Sequence, residues 1–530
     1  MKYKTIKLSH TNEIIQTYGV NSLMAKVIES KKIDQKQFKS FMDPHLIYHD
    51  FSLFEEADET LERIEEAIAN KEKICIYGDY DCDGILATTI LVQAFHERGV
   101  EVGYHIPNRF TDGYGLNTTR VEQMAEKGYS LIITVDNGIK AFDAVEKAGE
   151  LGIDVIITDH HAFDGEVPVA YSIIHTKMSP KYPFKEICGG FIAYKLAAAL
   201  LKHHDPYLFT LASITTISDM MPLLDENRSL VRRGLQFMKQ YKYPSLELLK
   251  GSRDYDATTI GFTIAPRINA FGRLPELVNP VYLVKYFLKE ADPAYQEKIS
   301  NYASKINSKR QSLTTSLYKE AVTDTSSPCL FYGSENMHEG LVGLVAGKYT
   351  REYEQPAFVM HYNPKEEIYK GSARGIDGFN IYNFFTHHED LFVQYGGHAK
   401  AGGFTITKSN YPLVYDALMN DIKGCHFEAS ESVIPITLTD TTISNVESLD
   451  LLAPFGEENK APLFILEDVS CHQVDRLSEG KHLKFHLGDN QVSALAFNKG
   501  QLYDELVHKD SMTLVLSLIH ISEPTRRSYI

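Results

Sequence analysis

The sequence contains little of what membrane, secreted or zinc-stabilised proteins require. No apolar run in the 530 residues reaches the length that crosses a bilayer. The six cysteines are scattered without the close pairs of metal sites, so neither a disulfide framework nor a zinc knuckle is indicated. We therefore expect a reduced, cytoplasmic protein that has no membrane partner.

Positive charge is also in short supply. The chain has 54 Lys and Arg against 70 Asp and Glu, which leaves a formal net charge of −16. This balance argues mildly against a nucleic-acid partner, because phosphate binding usually leaves a basic footprint. The objection weakens if many acids gather at a metal site while the basic residues line one groove.

The patterning predicts several domains, because 530 residues exceed one ordinary core. Residues 1–70 form a helical accessory segment, and residues 71–229 alternate near-continuous apolar strands with helices. That alternation indicates α/β architecture with a parallel, doubly wound sheet. Residues 230–323 form a long helical connector and residues 324–428 a second α/β unit. Residues 429–516 contain the short strands of a small β-barrel.

The sharpest feature is the position of the acidic residues, which follow three of the predicted parallel strands. They are Asp79, Asp81 and Asp83 after the first strand, Asp136 after the third, and Asp159 with His160 and His161 after the fourth. A lone Asp at a strand end is usually a helix cap. Three acidic strand ends are harder to explain that way, because the carboxyl ends of such strands form the ligand crevice of a sheet.

So many carboxylates and imidazoles in one place would repel each other unless cations neutralised them. Carboxylate with imidazole suits Mn²⁺ or Mg²⁺. Two such ions can activate water and stabilise an in-line phosphoryl displacement. The predicted cofactors are therefore two divalent metal ions, Mn²⁺ or Mg²⁺.

The segments GDYDCDG, TVDNG and TDHH resemble, in order and spacing, the motifs of the DHH phosphoesterase family, named for its Asp-His-His triplet. The family's fourth motif, an Asp after an apolar segment, is matched by Asp219 in LASITTISDMMPL. The resemblance implies a catalytic, metal-binding set consisting of Asp81, Asp83, Asp136, His160 and Asp219. Asp79 would lie within or beside that set, and Asp159 would orient the neighbouring histidine. His161 would face the substrate phosphate as a further catalytic residue.

Further segments resemble the RecJ subfamily more than the pyrophosphatases, nano-RNases or cyclic-dinucleotide phosphodiesterases that share those motifs. The implied substrate-binding residues are Arg109 in IPNRFTDG, Arg267, Asn269 and Arg273 in PRINAFGRL, and Asn307, Arg310 and Gln311 in NSKRQ. The competing interpretation of each arginine is a solvated or salt-bridged surface residue. His175 and Thr176 stand where related sequences commonly carry Asn-Pro.

The second α/β unit resembles the DHH-associated domain. Its candidate substrate-binding residues are Ser372 and Arg374 in GSARG and Gly396, Gly397 and His398 in QYGGHAKAGGF. Glycines let backbone amides approach a phosphate, and Arg and His add charge-assisted contacts. A Gly-Gly turn alone is weak support, since it is usually only a tight turn.

The segments LAPFGEENKAPLF and KHLKFHL resemble the OB-type barrel of the RecJ subfamily. Such barrels hold single strands through basic grooves and base stacking. The last residues, Ser517–Ile530, match nothing in the family pattern. We expect this tail not to be native barrel sequence and the barrel to be incomplete. The alternative is a short natural tail that frays.

The resemblance implies a 5′-to-3′ exonuclease that is specific for single-stranded DNA and acts in repair and recombination. It also implies a monomer, with a single-strand-binding protein and a helicase as further partners. One alternative is a phosphodiesterase for short oligonucleotides or cyclic dinucleotides. Another is an inactive scaffold in a replication complex, which would have lost metal ligands, whereas every acidic motif is present here.

Overall fold

The computed structural model describes residues 2–43, 45–113, 115–163, 165–322, 326–425, 427, 430–488 and 492–518. Two compact units account for the chain. The first consists of Met1–Leu46, Pro222–Asp225 and Ser430–Ile530, and the second of Ile47–Met221 and Glu226–Ala429. No helix among the described residues is both long enough and apolar enough to span a bilayer.

The strands are, in chain order, β1 (Lys2–Thr5), β2 (Ile74–Tyr77), β3 (Gly103–His105), β4 (Leu131–Val135), β5 (Asp154–Thr158), β6 (Ser172–Ile174), β7 (Leu330–Ser334), β8 (Ala357–Asn363), β9 (Ile368–Arg374), β10 (Gln394–His398), β11 (Ala401–Thr407), β12 (Ser430–Pro435), β13 (Leu463–Leu477), β14 (His482–Leu487), β15 (Val492–Ala496) and β16 (Ser511–Leu516).

The helices are, in the same order, α1 (Thr11–Tyr18), α2 (Ser22–Ser30), α3 (Gln35–Met42), α4 (Ala57–Ala69), α5 (Cys82–Glu97), α6 (Thr118–Glu126), α7 (Phe142–Glu150), α8 (Gly189–Leu201), α9 (Pro206–Ser218), α10 (Asp225–Tyr241), α11 (Pro244–Lys250), α12 (Ala257–Thr259), α13 (Ala265–Arg273), α14 (Val281–Phe287), α15 (Pro293–Ala321), α16 (Val342–Tyr353), α17 (Ile381–His387), α18 (Tyr411–Ile422), α19 (Ile443–Glu447) and α20 (Tyr503–Leu506).

The first sheet of the second unit is parallel throughout and has the order β3-β2-β4-β5-β6. Every residue of β2 and β4 is buried, which is why these strands are continuous apolar runs. The chain reverses its direction of travel across the sheet between β2 and β4. Ligands bind at such a switch point, beyond the carboxyl ends of the strands. The predicted doubly wound sheet is confirmed.

The connector packs directly against that switch point. A π-helical turn, Ile260–Ile264, leads into α13, and a Cβ added to Gly272 of α13 would lie 2.0 Å from the Tyr80 carbonyl oxygen. Only glycine allows so close an approach to the loop after β2. The long helix α15 then leads to the second sheet of this unit.

That second sheet has the order β10-β11-β9-β8-β7, in which β7 and β8 are parallel and the other neighbours antiparallel. Its core is aromatic and includes Phe358, Phe384, Phe385 and Phe404. The predicted second α/β unit is confirmed, as a mixed sheet.

The first unit contains a sheet with the order β1-β12-β13-β14-β15, and β16 pairs with β13. The predicted accessory segment 1–70 is divided between the units. Strand β1 pairs in parallel with β12, with Tyr3 opposite Glu431, and Val27 of α2 is buried in the same core as Phe464. Residues 47–70, including α4, belong to the second unit.

The predicted domain boundaries and the non-native tail remain predictions. Of the tail Ser517–Ile530, residues 519–530 lie outside the described residues. Leu518 is buried in the core of the first unit. The expectation of an incomplete barrel therefore also remains a prediction.

Candidate metal centre

The acidic residues after β2, β4 and β5 converge at the switch point, together with Asp219 at the end of α9. We call the set Asp79, Asp81, Asp83, Asp136, His160 and Asp219 the acidic pocket. Three overlapping groups of its residues, with His161, bring ligand atoms within 4.8 Å of one another. These groups are Asp136, His160 and His161; Asp83, His160 and Asp219; and Asp79, Asp81 and Asp136.

A helix cap and a close backbone approach fix the conformation of the loop after β2. The Asp81 carboxylate caps α5 by accepting from the Gly84 N–H at 3.1 Å. A Cβ on Gly84 would lie 2.5 Å from the Asp79 backbone nitrogen, so only glycine lets α5 begin this close to the strand. Helix α5 is buried through most of its length, which fixes its first turn in place.

Asp83 is held by backbone donors from a second helix. The N–H groups of Gly189 and Gly190, at the start of α8, donate to its two carboxylate oxygens at 2.8 and 2.7 Å. A Cβ on Gly189 would lie 2.5 Å from the Cβ of Asp136. The glycine pair thus supplies donors and makes room for two carboxylates. The candidate residues predicted from the sequence did not include this pair, although two glycines opening a predicted helix were a usable signal.

Asp136 follows β4 in a left-handed backbone conformation, with φ of 62°. This conformation is uncommon for a residue other than glycine. The next side chain, Asn137, donates to the carbonyl oxygens of Tyr77 and Val135 at 3.1 and 2.9 Å, which links the carboxyl ends of β2 and β4. Such strain at the centre of a site is typical of functional positions.

The Nε2 atom of His160 faces three carboxylates. It lies 3.1 Å from Asp136 Oδ1, 3.5 Å from Asp219 Oδ2 and 3.8 Å from Asp83 Oδ2. Burial, reinforced by the neighbouring His161, lowers the pKa of His160 to about 3, so its ring is neutral. Among the described residues, neither His160 Nε2 nor Asp219 Oδ2 has a hydrogen-bond partner. These are ligand atoms directed at a common point.

Burial and the neighbouring carboxylates destabilise the charged form of four carboxyl groups in the pocket. Burial and the charge of Asp81 raise the pKa of Asp79 to about 8 and that of Asp83 to about 6. Burial and the charge of Asp83 raise the pKa of both Asp136 and Asp219 well above the usual range. A bound cation would reverse this penalty, so the donor set fits hard divalent ions.

Asp159 lies behind the pocket and orients His161. Its Oδ1 accepts from the His161 ring at 2.7 Å and from the backbone N–H of both histidines, and its Oδ2 accepts from the Ile139 N–H at 3.0 Å. Burial lowers the pKa of His161, but Asp159 outweighs it and raises that pKa to about 9. Burial favours the neutral acid at Asp159, but the bond from His161 holds its pKa well below the usual range. The bond to Asp159 thus favours the protonated form of His161.

Beside the acidic pocket lie four arginines, which we call the arginine cluster: Arg109, Arg273, Arg310 and Arg374. Burial and the charges of the other three lower the pKa of Arg273 to about 10, whereas Asp81 opposes the shift. The guanidinium of Arg109 lies 4.2 Å above the ring of Tyr80, a cation–π contact with the loop after β2, which we call the acidic loop. The cluster can bind an anion beside the metal ligands.

Three regions of the chain match models of known families. Residues 73–217 match the DHH family, N-terminal domain, residues 321–424 the DHHA1 domain and residues 434–522 the RecJ OB domain. The single-stranded-DNA-specific exonuclease RecJ of Salmonella typhimurium is 30% identical over 488 residues, which cover 83% of each chain. The chain belongs to the RecJ family.

Two further RecJ proteins are similar to this chain. RecJ of Bacillus subtilis is 34% identical over 478 residues, which cover 86% of this chain and 60% of the relative. The crystal structure of RecJ in complex with Mn²⁺ from Thermus thermophilus superimposes with a TM-score of 0.82 at 26% identity, covering 97% of this chain and 76% of that one. The chain thus spans about three fifths of the length of its Bacillus relative.

In this RecJ-family chain the three candidate residues of PRINAFGRL make different contacts. Asn269 accepts from the Cys82 N–H at 2.7 Å, so it supports the acidic loop. Arg273 joins the arginine cluster and donates weakly to the Gly340 carbonyl oxygen at 3.4 Å. Arg267 instead donates to the Leu249 carbonyl oxygen. Burial and the charge of Arg253, which is outside the cluster, lower its pKa.

On α15 the predicted residues also have different surroundings. Asn307 is buried and its Oδ1 accepts from Arg310 Nε at 3.0 Å, which makes it a support for the arginine. Gln311 is exposed. Asn307 therefore orients the guanidinium of Arg310, which belongs to the arginine cluster.

The predicted residues of the second sheet lie in three consecutive rows across its strands. In the first row, Arg374 of β9 is opposite Ala401 of β11, which is opposite His398 of β10. The second row pairs Gly397 with Gly402, and the third contains Ser372 and Gly396 on either side of Gly403. The Ser372 hydroxyl accepts from Arg374 Nη1 at 2.8 Å, which aims the guanidinium.

Two glycines of β10, in its pair with β11, have different backbone surroundings. Gly397 has φ of 137°, and a Cβ there would lie 2.3 Å from the Ala401 carbonyl oxygen. Gly396 is half-buried, and a Cβ built there would meet no atom within 4 Å. Burial and the charge of Arg374 lower the pKa of His398, which shows that the two side chains share one environment.

Proposed function

We propose that this protein is a single-stranded-DNA-specific exonuclease that hydrolyses phosphodiester bonds with two divalent metal ions, Mn²⁺ or Mg²⁺. The observation that carries the proposal is the acidic pocket, in which buried ligand atoms of three strand ends meet beside an arginine cluster. Membership of the RecJ family supports the choice of substrate. The intact ligand set argues against an inactive scaffold.

The metals would be held by Asp79, Asp81, Asp83, Asp136, His160 and Asp219, and Asp136 belongs to two of the overlapping groups. Two such ions activate water and stabilise both oxygens of an in-line displacement. The chain positions the reacting phosphate with its own charges. Asp159 favours the protonated form of His161, which would face the phosphate as a cation.

The arginine cluster binds the phosphates of the substrate. Arg374 is preoriented by Ser372 and Arg310 by Asn307, so these guanidinium groups lose little freedom when a phosphate binds. A terminal phosphate held there would set the direction of digestion, which we propose to be 5′-to-3′, as in the family resemblance. We further propose a monomer that works in repair and recombination with a helicase and a single-strand-binding protein.

Digestion of end-labelled DNA tests the function. Purified protein with Mn²⁺ or Mg²⁺ should release mononucleotides from the 5′ end of single-stranded DNA and leave blunt duplex largely intact. Release from the 3′ end would overturn the polarity. Cleavage confined to oligonucleotides of two to four residues would favour the short-oligonucleotide phosphodiesterase instead.

A further inference from the structure

A groove with a volume of about 840 Å³ lies in the connector, between the segment that follows α13 and the first half of α15. Three tyrosines line it, of which Tyr282 is 50% and Tyr302 38% exposed. The hydroxyl of Tyr302 donates to the Leu277 carbonyl oxygen at 3.1 Å, and that of Tyr295 donates to the Tyr282 carbonyl oxygen at 2.9 Å. Two rings are thus pinned by their hydroxyl groups inside an open groove.

The charge in the groove is predominantly positive. Lys298 and Lys305 are exposed along its wall, and they are seven residues apart on α15, so they share one side of the helix. The lining includes one carboxylate, Glu276, which lies 3.2 Å from His338 Nε2. In a chain with a net charge of −16, two lysines beside exposed tyrosines are a local departure.

The groove adjoins the catalytic region. The His338 ring that contacts Glu276 also lies 5.6 Å from the ring of Phe110, the residue after Arg109. Along α15, Tyr302 precedes Arg310 by eight residues, which is about 12 Å of helix. The groove therefore lies a short distance along α15 from the arginine cluster.

We propose that the groove binds nucleotides of the single DNA strand whose end is held at the arginine cluster. Bases stack on the rings of Tyr282 and Tyr302, and the phosphates lie near Lys298 and Lys305. Stacking on aromatic rings needs base faces that a duplex does not expose. The groove thus selects single strands, and this inference rests on the proposed function.

The test measures how affinity depends on strand length. The full chain is mixed with 5′-phosphorylated, 3′-fluorescein oligothymidylates of 2 and 15 nucleotides in EDTA, which prevents hydrolysis, and Kd is measured by anisotropy. The variant Tyr282→Ala/Tyr302→Ala should bind the 15-mer about tenfold or more weakly. Its affinity for the dinucleotide should change less than about twofold, because a strand with a rise of about 3.4 Å per nucleotide is then too short to reach from the cluster to the groove.

Conservative and matched variants separate stacking from folding. Tyr302→Phe keeps the ring and should keep wild-type affinity. Tyr282→Ala alone, at a half-exposed side chain, should give part of the loss. Lys298→Glu/Lys305→Glu should weaken the 15-mer, whereas Lys319→Glu, an exposed lysine of α15 outside the groove lining, and Tyr415→Ala, with 41% exposure on α18, should not.

The outcomes distinguish the groove from the catalytic function. If wild type digests single strands with Mn²⁺ but the groove variants bind the 15-mer normally, the groove proposal is overturned and the function stands. A groove that accepts a protein segment would give this result. If wild type digests nothing, yet the variants lose affinity for the 15-mer, the groove stands and the function fails. Equal losses on both lengths would overturn the groove.

Discussion

The acidic pocket and the arginine cluster lie side by side in the second unit but are built in different ways. Asp83 accepts hydrogen bonds from backbone N–H groups of Gly189 and Gly190, and the pocket's carboxylates are buried against one another. The arginines are held by side chains and rings, as Arg374 is by Ser372 and Arg109 by Tyr80. The pocket's carboxylates repel one another when charged, whereas each arginine is held by its own side-chain or ring contact.

This difference predicts two kinds of response to mutation. A backbone-fixed ligand set that shares ions should fail as a whole when one ligand is lost. Side chains that bind phosphates independently should lose affinity in steps, each on the scale of one charge-assisted hydrogen bond.

The largest effect is expected for Asp136→Ala. Hydrolysis of single-stranded DNA should fall by several orders of magnitude, because Asp136 contributes to two of the overlapping ligand groups. Asp143→Ala, at an exposed acid in the first turn of α7, should retain full activity. Rates would be measured with Mn²⁺, and circular dichroism would confirm folding. Near-normal turnover of the Asp136 variant would refute the two-metal assignment.

Removal of metal should lower the free energy of unfolding. Ions that bind only the folded pocket stabilise it by about 2.7 kcal/mol at a concentration one hundred times Kd. They also offset the burial and the repulsion between carboxylates that raise the pKa of Asp79 and Asp136. Thermal unfolding with Mn²⁺ and with EDTA would show the shift. Asp136→Asn should be insensitive to Mn²⁺, and a shift of wild-type size in that variant would contradict the assignment.

Arg374→Ala and His398→Ala should reduce kcat/KM about ten- to one-hundredfold, the range of a lost hydrogen bond to a charged group. Their stabilisation by Mn²⁺ should match wild type, because neither residue belongs to the acidic pocket. Steady-state kinetics on 4- and 15-nucleotide strands would provide the comparison. If both variants equal wild type on both strands, the second sheet takes no part in the site.

The smallest effect is expected for Asn269→Ala, which leaves the Cys82 N–H without its acceptor. Loss of one neutral hydrogen bond should weaken Mn²⁺ binding by about two- to tenfold. Arg267→Ala, two residues earlier on α13, should leave Mn²⁺ affinity unchanged. Calorimetric titration of both variants would decide between support of the loop and direct contact with substrate. An unchanged Mn²⁺ affinity for Asn269→Ala with weaker DNA binding would favour substrate contact.

The convergence of Asp79, Asp81, Asp83, Asp136 and His160 could be predicted from the sequence. Buried parallel strands are recognisable as apolar runs, and their carboxyl ends necessarily meet at one edge of a sheet. The role of Asp159 as a support for a histidine came instead from the resemblance to the DHH family. The second sheet and the barrel were also predictable, because their motifs are local in the sequence.

What the sequence could not show are contacts between distant segments. That residues 1–46 join the barrel depends on β1 pairing with β12, more than 400 residues away. That Asn269 supports a loop while Arg267 contacts Leu249 depends on how α13 is rotated against its neighbours. Local pattern determined which residues could serve a metal site. Packing between elements decided which of them reach it, because side-chain direction is fixed only when helices and sheets dock.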